Sequence, residues 1–73
     1  MEKEVKALFS AFWKVPEKFV RHELKFTDAR LKDASSVRFY QFIAALESNL
    51  GVKVYNLHKI ITFWDLLEQL KRE

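Results

Sequence analysis

Few side chains in this 73-residue sequence are placed to do chemistry, and the clearest are two adjacent serines, Ser35 and Ser36. They stand where a charged stretch ends and an apolar run with helical spacing begins. On spacing alone either hydroxyl reads as a helix cap, because a serine oxygen accepts a bond from the free amides of a first helical turn. His22 and His58 lie far apart among ordinary charged or apolar neighbours, which reads as surface or half-buried histidine rather than a metal or catalytic pair. Glu47 and Asp65 do not have the placement of a carboxylate pair. The sequence has no glycine-rich phosphate loop, no His-Glu-x-x-His and no cysteine nucleophile. A protein that is not an enzyme on its own is therefore expected.

The element that must position the serines is the run from Ser36 to Leu50. Phe39, Phe42, Ile43, Leu46 and Leu50 recur at three- and four-residue spacings, so they share one face of a helix. Gly51 can take the left-handed conformation that ends it. Between Arg38 and Gly51 the only charge is Glu47, so this helix is expected to meet protein on more than one side and to form the centre of the fold. Before it, Val5, Leu8, Phe9 and Phe12 predict a first helix over Glu2 to Trp13, interrupted at Val15-Pro16. Pro16 can open a further turn through Val20. Arg21 to Asp33 reads as a long connection across the surface, pinned by Leu24, Phe26 and Leu31.

After Gly51, Val52 and Val54 predict a few extended residues rather than a strand, and Asn56 to Ile60 a single helical turn. Thr62-Phe63-Trp64-Asp65 has the form of a capping box. Phe63, Leu66, Leu67 and Leu70 then give a final amphipathic helix, with Lys71 and Arg72 suited to its negative end. The expected architecture is all-α: one domain over residues 1–73, a small bundle of three to four helices with a long loop between the first and second.

The composition agrees. A chain this short is near the lower limit for unaided folding, and with no cysteine it has no disulfide or thiolate metal site to lean on. Seven Phe, two Trp and two Tyr supply the burial instead, and a single Gly and a single Pro argue against a turn-rich β fold. The net charge of +3 comes from 13 Lys and Arg set among 10 Asp and Glu. That interleaving reads as solvated faces, not as the basic stripe of a nucleic-acid binder. The start of the chain lacks a signal-peptide run and no segment is long enough to span a membrane, so a cytoplasmic protein with no membrane insertion is expected; a monomer is expected as well.

The order of elements, and several of the residues in them, resemble an acyl carrier protein. Family members carry Asp-Ser-Leu at the start of the second helix, then an apolar stretch ending in Ala-Leu-Glu and a glycine-containing turn. Here Ser35-Ser36-Val37 is followed by Ala45-Leu46-Glu47, Leu50-Gly51-Val52 and Val54. Lys59-Ile60-Ile61-Thr62-Phe63 is similar to the family's Lys-Ile-Thr-Thr-Val, and Asp65-Leu66-Leu67 fits the helix after it. The likeness is close from Leu31 to Leu70 and looser before that.

The resemblance implies a covalent arm: 4′-phosphopantetheine from coenzyme A, attached to a serine by a phosphopantetheinyl transferase and holding acyl groups as thioesters. Ser36, ten residues before Leu46 and followed by Val37, matches the family's spacing, while Ser35 stands where the family has aspartate. Fatty-acid or specialised acyl metabolism would be the setting, with acyl-loading and acyl-using enzymes as partners. The contacts for them would come from Val37, Arg38, Tyr40, Gln41, Ala44 and Glu47. The helices could open to shelter an acyl chain. The family's Leu-Gly before the motif is missing, and Arg38, Gln41 and Ser48 fall where the family carries acids, which implies specialised partners. The alternative is an unmodified carrier-like module for protein interaction.

Overall fold

The computed structural model describes residues 2–32 and 34–71. In order come α1 (Glu2–Trp13), a 3₁₀ turn (Glu17–Phe19), α2 (Ser36–Leu50), a second 3₁₀ turn (Leu57–Lys59) and α3 (Phe63–Lys71). The chain is all-α as expected, with three α-helices; its strand-like feature among the described residues is one isolated antiparallel bridge, Lys25 to Thr62. None of the described helices is long and apolar enough to cross a membrane. Asp33 and Arg72, expected at the end of the long connection and of the last helix, lie outside the described residues.

α1 begins with Glu2 and Glu4 at its positive end, where carboxylates are favoured, but has no basic residue in its own last turn. That cation comes from α2. The Arg38 guanidinium lies 3.9 Å from the centre of the Phe12 ring, and its Nη2 donates to the Phe12 carbonyl at 2.9 Å. The chain then leaves the helix through Lys14, whose φ of 55° is left-handed. The Ser10 hydroxyl and carbonyl take up the Val15 carbonyl and amide respectively. Pro16 precedes the first 3₁₀ turn rather than occupying its first position.

α2 has the bounds the spacing predicts, and Gly51 ends it at φ 66° with its amide on the Glu47 carbonyl. A Cβ at Gly51 would meet nothing within 4 Å, so a side chain there costs conformational energy and no clash. Gly51→Ala should therefore lose about 1–2 kcal/mol in urea unfolding, and Gly51→Asn less, since asparagine tolerates the left-handed region. Equal stabilities for the two variants would contradict this.

The connection from Arg21 to Lys32 crosses the surface on Leu24, Phe26 and Leu31, each 4% exposed. It is also stitched to the far end of the chain. Phe26 N donates to the Ile61 carbonyl at 3.0 Å, Phe63 N to the Leu24 carbonyl at 2.8 Å, and Trp64 N to the His22 carbonyl at 2.9 Å. The Thr62–Asp65 capping box forms as the sequence predicts. Asp65 N donates to Thr62 Oγ1 at 3.2 Å, and Asp65 Oδ2 accepts from Thr62 N and Ile61 N, each at 3.0 Å.

Two carboxylates in these segments set an acid limit. The Thr62 and Ile61 amides hold Asp65 below the usual carboxylate range. The Arg30 side chain and amide hold Asp28 down at about 2. A depressed folded-state pKa contributes stability above the unfolded value of 3.8, and that contribution is lost as pH falls through the folded value. Stability should thus decline between about pH 4 and pH 2, and Asp28→Asn should flatten the decline in a circular-dichroism acid titration. An unchanged slope would remove Asp28 from the account.

The core lies where the three helices and the connection meet. Val5, Phe9, Phe42, Leu46, Phe63 and Leu66 are fully buried, and Trp13, Val20, Phe26 and Leu67 close around them. Aromatic rings fill its centre: Phe9 lies 4.5 Å from Trp13, 5.5 Å from Phe42, 5.7 Å from Phe26 and 5.9 Å from Phe63, centre to centre.

Candidate functional site

The two serines divide their work. Ser35 sits before α2 in extended conformation, and its Oγ accepts from Arg38 N at 3.2 Å while its carbonyl accepts from Phe39 N at 3.0 Å. Ser35 is the cap. Ser36 is the first residue of α2 and exposed, and no hydrogen bond engages its Oγ among the described residues. A free hydroxyl therefore stands at the positive end of a 15-residue helix.

α2 turns about 100° per residue, so Tyr40, Ala44, Val37, Ser48 and Gln41 follow one another across one exposed arc. Val37 is 65% and Tyr40 54% exposed, so the arc carries two large apolar side chains in solvent. The two charged residues expected to join them are occupied in the fold. Arg38 is half-buried against Phe12, and Glu47 Oε2 accepts from Val54 N at 2.8 Å, folding the segment after Gly51 back onto α2. Gln41 flanks Arg38 and accepts from its Nη1 at 3.4 Å.

Ser36 opens onto a surface groove of about 190 Å³, walled by Phe26, Ala34, Phe39, Tyr40, Leu57 and Ile61. His58 lines its rim. The groove joins the connection to α2 and the 57–61 segment, and Leu24 and Phe26 are buried between exposed Glu23, Lys25 and Thr27. That alternation of period two was the available signal that the connection lies flat against the body. On the opposite flank of the arc, Phe12, Trp13, Lys14, Lys32 and Arg38 line a second groove of about 210 Å³. Interleaving along the chain hid that cluster, because Lys14 and Lys32 are brought together only by the ends of α1 and of the connection.

His22 is structural. Its Nε2 lies 2.9 Å from Glu2 Oε2, and its ring packs 4.8 Å from that of Trp64, so it ties the connection to α1 and α3. Among the described residues no three His, Cys, Asp or Glu side chains gather as a metal site. Comparison with family models, with curated proteins and with solved structures finds no match to this chain.

Proposed function

We propose that this chain is a non-catalytic carrier that holds acyl groups as thioesters on a 4′-phosphopantetheine arm joined to Ser36. The observation that carries the reading is the free, exposed Ser36 hydroxyl at the head of α2 beside an apolar groove, with Ser35 doing the capping that would otherwise occupy it. A phosphodiester there would be favoured by the positive end of the helix, whose Ser36 and Val37 amides have no acceptor among the described residues. Bound, the arm supplies the thiol that a chain without cysteine lacks. Phe26, Phe39, Tyr40 and Ile61 offer apolar surface to an acyl group. Because rings fill the space between the helices, the groove is the cheaper place for it, and opening the core would forfeit packing.

In this reading the protein works in the cytoplasm and docks a phosphopantetheinyl transferase and acyl-handling enzymes through Val37, Tyr40, Gln41 and Ala44. The uncharged character of that arc also favours a second reading, an unmodified interaction module. Incubation with coenzyme A and a broad-specificity transferase, followed by mass spectrometry, separates them. A gain of one phosphopantetheine group is expected; an unmodified chain would favour the module.

A further inference from the structure

The charge around the head of α2 indicates what sort of surface meets it. The exposed arc of Tyr40, Ala44, Val37, Ser48 and Gln41 carries no carboxylate. Glu47, the one acid on α2, is half-buried with its carboxylate on the Val54 amide. On the flank nearest α1, the groove of Phe12, Trp13, Lys14, Lys32 and Arg38 has three cations and no acid among its described lining residues. Lys14 and Lys32 are exposed, and neither is ion-paired with a described residue. Lys14 and Lys32 thus present free ammonium groups, and Arg38 adds its charge from a guanidinium already bonded to the Phe12 carbonyl and Gln41.

We propose that the enzyme reaching Ser36 docks with an acidic rim placed against Lys14, Lys32 and Arg38 and an apolar centre placed against Val37 and Tyr40. The pairing is the reverse of an acidic carrier helix on a basic enzyme. Its basis is complementarity: an acidic rim gains three attractive neighbours, whereas a basic rim would meet like charges on a face with no acid among its described residues. Val37 and Tyr40, 65% and 54% exposed, supply the apolar contact that gives such an interface its affinity. Only the identity of the partner as an enzyme rests on the carrier reading; the surface chemistry does not.

The test uses the unmodified chain, so its failure is distinct from a failure of Ser36 modification. Fluorescein-labelled peptides Glu-Glu-Leu-Leu-Glu-Glu and Lys-Lys-Leu-Leu-Lys-Lys are titrated by fluorescence anisotropy. The acidic peptide should bind the more tightly, and should weaken about fivefold or more between low salt and a few hundred millimolar, as exposed pairs are screened. Lys14→Asn with Lys32→Gln should weaken it by a similar factor, asparagine being chosen because Lys14 has φ 55°. Lys3→Asn with Lys53→Gln removes the same charge near the start of α1 and beyond the end of α2, and should change affinity less than about twofold. Val37→Ser should weaken the acidic peptide as well. Stronger binding of the basic peptide, no binding of the acidic one, or equal losses in the two double variants would overturn the proposal. So would a short single-stranded DNA that binds the same lysines more tightly than the acidic peptide.

Discussion

Phe9→Ala lowers the unfolding free energy by about 3–5 kcal/mol, the range for removing a buried ring from a core that cannot collapse onto the space. Phe9 is 0% exposed and in ring contact with Trp13, Phe26, Phe42 and Phe63, so its loss breaks the junction of α1, α2, α3 and the connection together. A domain of this length has roughly 4–11 kcal/mol of stability in all, at 0.05–0.15 kcal/mol per residue. The loss is thus about a quarter of the total or more, and with no disulfide in reserve the unfolding midpoint should fall well below the parent's. Near-ultraviolet circular dichroism and the fluorescence of the buried Trp13 report it directly. Phe9→Leu, which keeps most of the volume, should fold with a smaller loss. A Phe9→Ala midpoint within experimental error of the parent would mean that the rings are not what closes this core.

Ser36→Ala and Ser35→Ala should part company in both stability and modification. With coenzyme A and the transferase, Ser36→Ala should show no mass gain at all, because the esterified oxygen is gone. Its stability should stay within about 0.5 kcal/mol of the parent, since that oxygen is exposed and unbonded. Ser35→Ala should keep the mass gain. It should lose about 0.5–2 kcal/mol, the usual cost of an N-cap, because Arg38 N then has no side-chain acceptor. The double comparison is stronger than either half. A label that moves to Ser35, or survives in Ser36→Ala, would show that the free hydroxyl at the helix head is not the attachment point.

Much of the scaffold was legible residue by residue. The three- and four-residue spacing of Val5, Leu8, Phe9 and Phe12 marked α1, and that of Phe39 to Leu50 marked α2, because only a helix puts those side chains on one face. Gly51 and the Thr62–Asp65 pair marked helix ends through local chemistry that needs no distant partner. The division between the two serines was not legible. Either could cap, and the choice depended on which backbone took the extended conformation before Arg38 N.

The set of helices, their ends and their buried faces thus follow from periodicity and from bonds spanning four residues or fewer. Tertiary structure alone decided three other things. It turned the Arg38 side chain away from the first turn of α2, where a cation is unwelcome, to the carbonyl end of α1. It gathered Lys14, Lys32 and Arg38 into one groove, and Phe26, Tyr40 and Ile61 around Ser36 into another. Each joins residues separated by a helix or by the whole connection. Contacts of that reach are set by packing, and no local pattern along the chain records them.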